Sequence, residues 1–228
     1  MTRTALLLPL SVASLLTATL AHAQTADDPH AVAVAYLNAL TGAGDDAARA
    51  TLLGGVTMTA QMYTLENWKI ESEDPVRTET GDLADAKKEI AALDKAGRVA
   101  LGDMLKTGTE GASDDIQTAA LTEEDAARLL APTRSKAKAL QKAHPIFAHY
   151  LARVDKEVYW HPQNPVRPLL AKTPATGKYT LTVHRYVVIS KEGPRQVPRK
   201  WPLHVLRFQV GSVDTGWKVL PASDWKGE

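Results

Sequence analysis

YTLTVHRYVVISKEGPRQVPRKWPLHVLRFQVGSVDTGWKVL, residues 179–220, carries the pattern that decides the fold class. Tyr179, Leu181, Val183, Val187 and Ile189 alternate with Thr180, Thr182, His184, Tyr186 and Val188, the two-residue period of a strand with one buried face. Residues 201–210 supply a second strand and 216–220 a third. The turn over 211–216 is short, so the last two strands run antiparallel. Upstream of this meander the apolar period lengthens to that of helices. Helices first and a meander last predict an α+β domain, with the sheet packed on the first helix.

Working back toward the amino terminus, Asp28-Pro29 opens that helix: Asp caps free N–H groups, and Pro at the first helical position loses no needed bond. Val32, Ala35, Tyr36, Ala39 and Leu40 follow at helical spacing, and Gly42 and Gly44 end it. A shorter helix from Asp45-Asp46 carries Ala48, Leu52 and Leu53. Val56, Met58, Ala60 and Met62 alternate as a strand, and Trp68, Ile70 and Ser72 mark another, stopped by Pro75. Asp82 caps a helix with Leu83, Ala86, Ile90 and Leu93 that continues toward Leu105. Residues 107–117 read as a loop. Thr122 to Asp125 forms a capping box for a helix that Pro132 is expected to interrupt, with a further helix over 133–143. Phe147, Tyr150, Leu151, Val154 and Val158 continue an apolar stripe up to Trp160, and 161–176, with its prolines, reads as an extended connector.

Residues 1–23 have the order of a secretory leader: Arg3, an apolar stretch from Ala5 to Leu20, then Ala21-His22-Ala23 before an expected cut. A periplasmic or secreted protein beginning at Gln24 is the expectation, with no membrane span after cleavage. The chain has no cysteine, which excludes disulfides, thiolate metal sites and a cysteine nucleophile together. Residues 24–228 suffice for one domain. The net charge of +1 gives no general attraction to nucleic acid. Acidic residues gather between Glu71 and Asp125 and basic ones after Arg128, a contrast that solvated helix faces explain.

Two segments resemble the NTF2-like superfamily of cone-shaped α+β domains. They are PHAVAVAYLNALTGAGDDAARATLLGG (29–55), an opening helix pair, and LHVLRFQVGSVDTGWKVLPASDW (203–225), a closing strand pair with a trailing aromatic. The resemblance implies that Trp217 packs against the opening helices, and that 75–176 is a helical insertion in the cone. Members of that family are isomerases, dehydratases, hydrolases, ligand binders and assembly modules, and can dimerise through the sheet, so kinship leaves the activity open.

His184 and His204 on neighbouring strands, with Arg185, Tyr186 and Arg207, are the candidates to line a pocket; with Asp or Glu, either histidine would serve as a general base. The strand parity sets His184 opposite to the expected core. The basic stretch KEGPRQVPRK (191–200), with Arg195 and Arg199, is a candidate grip for an anionic or protein partner, or a charged guard on a hairpin edge. His144, His149 and His161 lack metal-ligand spacing, and no nucleophile elbow, phosphate loop or dinucleotide turn occurs, so no metal and no cofactor are expected. Trp160, Trp201, Trp217 and Trp225 read as core anchors rather than a sugar platform. The leading expectation is a non-catalytic domain that binds a small molecule or a protein. The alternatives are a metal-independent acid–base enzyme of the isomerase or dehydratase kind, and an envelope assembly module.

Overall fold

A computed structural model describes residues 27–41, 50–53, 65–110, 122–152, 154, 167–192 and 197–220. The leader, the expected strand over 56–63, most of the second helix, His161, Trp160, Trp225 and Arg195 lie outside the described residues. The described elements are α1 (Pro29–Thr41), β1 (Leu65–Glu73), β2 (Arg77–Asp82), α2 (Leu83–Glu110), α3 (Glu123–Ala143), α4 (Pro145–Tyr150), α5 (Arg167–Lys172), β3 (Lys178–Glu192), β4 (Val197–Val210) and β5 (Val213–Leu220).

The chain is α+β, with helices and one antiparallel sheet of five described strands. β3 pairs with β4 along its whole length, from Tyr179 opposite Val210 to Glu192 opposite Val197. β5 closes one side on β4. On the other edge of β3, β1 and β2 lie end to end: β1 covers Tyr186 to Glu192 and β2 covers Lys178 to Val183. They form one edge strand broken at Asp74-Pro75-Val76, where three residues face only two on β3. Pro75 fits such a break, because it has no N–H to give to a ladder.

Both faces of the sheet are buried, each over a different half of β3. Tyr179, Leu181 and Val183 join Leu206, Phe208 and Val210 of β4 under Leu83, Ala86, Ile146, Phe147 and Tyr150. Tyr186 and Val188 join Leu203 and Val205 under Val32, Tyr36, Leu37 and Leu40 of α1. Odd-numbered side chains of β3 therefore face α2 and α4, and even-numbered ones face α1. This corrects the single-faced reading of β3. Tyr186 and Val188 are core, whereas Val187 and Ile189 are half-buried, because α1 covers the sheet where the other helices do not reach. Each fully buried Leu, Val or Phe contributes about 1.5–3 kcal/mol, so α1 needs this face to exist at all.

Other expectations shift in the same direction. β4 runs from Val197 and β5 from Val213, so the expected basic loop is mostly hairpin and the last turn is Gly211-Ser212, with Gly211 at φ 57°. Pro132 does not break its helix: α3 runs through it, burying Thr133, Ala137 and Leu140 against α2. α2 reaches Glu110, into the expected loop. The stripe after Phe147 is helical only to Tyr150; Leu151 and Val154 are buried beyond the helix end. The proline-rich connector contains α5. β2 was not anticipated, since RTETGD carries no apolar residue to mark a strand. The caps are where the sequence puts them: Asp82 Oδ1 accepts from Ala84 N at 2.8 Å, and Thr122 Oγ1 from Asp125 N at 3.1 Å. Among the described residues no helix is long and apolar enough to cross a membrane.

Candidate functional site

β3 changes its buried face between Val183 and Tyr186, and the edge strand breaks beside that crossover. Arg185 lies there, on the face that α2 and α4 cover elsewhere. A cleft of about 340 Å³ opens at this point, lined by Asp74, Pro75, Arg77, Tyr150, Val183 and Arg185. Asp74 N donates to the Arg185 carbonyl at 2.9 Å, and Arg185 Nη1 donates to Asp74 Oδ2 at 2.7 Å. The break is thus pinned to β3 by main chain and side chain together. The Arg77 guanidinium carbon lies 5.9 Å from the centroid of the Tyr150 ring. Tyr150 reaches this position as the last residue of α4.

Just behind the cleft, His204 lies opposite Arg185 in register, with its ring 5.1 Å from that of Tyr150 and edge-on to it. Burial, then the charges of Arg185, His149 and Arg77, push its pKa down to about 3, against a smaller upward pull from Asp74. The ring is neutral at any ordinary pH, and the region around it is electropositive.

A second polar cluster anchors α4 from its other end. The Tyr179 hydroxyl donates to Glu79 Oε1 at 2.5 Å, while Ile146 N and Phe147 N donate to the same carboxylate at 2.5 and 3.3 Å. Tyr179 has only one proton to give, so His144 Nδ1, 2.9 Å away, is the donor to the phenol oxygen. Burial and the Glu79 carboxylate raise the Tyr179 pKa far above its usual value. The cluster holds the helix start, and with it Tyr150, against β2.

The remaining sequence candidates divide by strand parity. Arg185 and His204 share the cleft side; His184, Tyr186 and Arg207 are on the α1 side and do not join them. His184 Nδ1 sits 3.0 Å from Glu73 Oε1, with its ring stacked on Tyr186 and edge-on to Trp217. Burial first, then the Glu73 and Asp28 carboxylates, raise the Tyr186 pKa. Arg207 is committed to Asp214, at 3.0 Å from Nε and 2.6 Å from Nη2. That bond holds the Asp214 pKa down at about 2. Arg199 is exposed on β4 opposite Ser190, and the neighbouring Lys200 pairs with Glu71, so the basic hairpin is partly neutralised by β1. Trp201 and Trp217 pack against the α1-side cluster, as anchors do; Trp68 joins them. No group of residues that would hold a metal ion occurs among the described residues.

Asp74, Arg77 and Tyr150 were not found from sequence. The one available signal was Arg185, a charge at the same parity as Leu181 and Val183, where a core residue is expected. A charged side chain at a core parity marks a place where the covering layer stops. No family model matches the chain, and no curated protein or solved structure matches it.

Proposed function

We propose that this protein binds a small molecule in the cleft at the Asp74–Pro75–Val76 break and leaves it chemically unchanged. The observation that carries the reading is the cleft itself: about 340 Å³, with polar groups converging from Asp74, Arg77 and Arg185 beside Pro75, over buried Tyr150 and Val183. That size falls within the range of small-ligand sites. Binding is favoured over acid–base catalysis because the histidine beside the cleft has its pKa near 3, too low for an effective base at neutral pH. The histidine that does pair with a carboxylate, His184 with Glu73, faces the other side of the sheet. Export through the leader and kinship with NTF2-like domains belong to the same reading. Trp217 packed against the α1-side cluster, with its Nε1 donating to the Asp27 carbonyl at 3.1 Å, supports the kinship.

The test is a thermal-shift screen of small metabolites on the full chain and on Pro75→Trp, which places a bulky ring in the cleft without changing charge. A compound at a hundred times its Kd stabilises the folded state by about 2.7 kcal/mol, a shift of several degrees. Hits should shift the wild type and not Pro75→Trp. Equal shifts in both proteins would move the site elsewhere, and turnover of a hit would replace binding with catalysis.

A further inference from the structure

We propose that two copies of this chain associate through the far half of the α2–α3 pair, lying antiparallel about a two-fold axis. The surface is separate from the cleft, and the proposal does not depend on what the cleft binds.

α2 outruns the sheet it starts on. Its 28 residues make a rod of about 42 Å. Leu83 and Ala86 pack on the sheet-side cluster, and Leu93 packs on Ala137 and Leu140 of α3. The stripe that holds Leu83 and Ile90 continues along the helix to Leu101 and Leu105, where the cover stops: Leu101 is 47% exposed and Leu105 62%. Among the described residues, three of the four exposed large apolar side chains, Val99, Leu101 and Leu105, fall within these two turns of one helix. Apolar side chains gathered in this way on a surface mark a contact site.

Charge selects the occupant. Arg98, Leu101 and Leu105 stand at i, i+3 and i+7 on α2; Glu123, Leu130 and Arg134 stand at i, i+7 and i+11 on α3. With Leu93 against Ala137 and Leu140, the antiparallel helices bring Leu101 about level with Leu130, and Arg98 about level with Arg134. The right-handed turn of both helices sets the two stripes on one flank of the pair. That flank has an acidic end at Glu123, an apolar middle at Leu101, Leu105 and Leu130, and a basic end at Arg98 and Arg134. All three charged side chains are exposed.

Laid antiparallel on a second copy, the flank is complementary to itself. Glu123 of each copy meets Arg98 and Arg134 of the other, and leucines meet leucines, as a two-fold interface requires. A parallel arrangement would set like charges together. A strongly acidic or strongly basic partner would be attracted at one end and repelled at the other. The flank is about 20 Å long and two helices wide, roughly 400 Å² a side, which is small for a specific interface. The dimer is therefore a weak, exchanging one rather than an obligate one.

The experiment is sedimentation equilibrium on the protein expressed with its own leader, from about 5 to 500 μM. The average mass should rise from one chain toward two. Leu101→Ser/Leu105→Ser changes only exposed side chains and should weaken the association at least about tenfold. Arg98→Glu/Arg134→Glu alone and Glu123→Arg alone should each stay monomeric, because both ends of the flank then carry the same sign. Mixed in equal amounts, these two variants should associate, since each supplies the charges the other needs; a variant that failed to fold could not do so. A wild type that stays monomeric over the whole range would overturn the proposal. So would an association unchanged by the leucine substitutions, or a mixture that behaves as its separate components.

Discussion

His204 is the residue whose surroundings most change its chemistry, and its behaviour with pH is calculable. The unfolded chain takes up a proton on this ring near the ordinary 6.5, the folded protein only near 3. Stability contributed by keeping the ring neutral is therefore complete above 6.5 and is lost as pH falls between those values, by about 1.4 kcal/mol per unit at most. The ring proton resonances of His204 should not titrate between about pH 7 and pH 4, in a side chain whose free form titrates in that window. A midpoint near 6 would restore it as a general base and sink the non-catalytic reading. Gly81 poses a different residue-scale question. It faces Tyr179 across the strand pair, and a Cβ there would come 2.7 Å from the ring. The tyrosine is held in place by Glu79 and His144, so it cannot swing aside freely. Gly81→Ala should cost about 1–3 kcal/mol in denaturant unfolding, and a loss under about 0.5 would show the ring to be loosely held. At this scale little of the site was legible. His184 and His204 were both visible as chemistry-bearing residues, but whether they meet depends on parity and on which layer covers which half of β3. Arg77 and Tyr150 come from elements whose positions are set only by tertiary packing.

Among the elements, the three carboxy-terminal strands and the helices starting at Pro29, Leu83 and Glu123 were legible because their signals are local: a two-residue alternation, or a cap followed by an apolar stripe. β2 was not, because an edge strand whose side chains meet Tyr150 and Tyr179 rather than solvent-excluded aliphatics needs no apolar residue of its own. Pro132 misled for a related reason. A proline removes one helical hydrogen bond and crowds the preceding turn, at about 3 kcal/mol, but α3 recovers that by burying Thr133, Ala137 and Leu140 on the α2 side. The cost is still present in the folded protein. Pro132 is exposed, so replacement by Ala loses no packing. Pro132→Ala should raise stability by about 1–3 kcal/mol, read from the urea midpoint at unchanged slope. A destabilised variant would mean that the backbone angle fixed by Pro132 is needed to lay α3 along α2.

On the scale of the whole molecule, the consequence of two buried faces is mechanical coupling. β3 and β4 each contribute side chains to both clusters, Leu181 and Phe208 to one and Val188 and Leu203 to the other. Neither cluster can lose its strands without taking them from its neighbour. The two faces should therefore unfold as one unit, although they share few side-chain contacts. Two probes see different faces: Trp68, Trp201 and Trp217 pack on the α1 side, while the far-ultraviolet helical signal is dominated by α2 and α3 on the other. Their urea transitions should coincide. Leu37→Ala on one face and Leu181→Ala on the other, both fully buried, should each cost about 2–5 kcal/mol and move both transitions together. The distal part of α2 is the expected exception. Val99, Leu101 and Leu105 are exposed there, so its amides should exchange by local opening well before those of β3. Separated transitions would show that β3 tolerates losing one layer while keeping the other. The cleft at Arg185, set where one layer gives way to the other, would then be a hinge between two units rather than a fixed site in one.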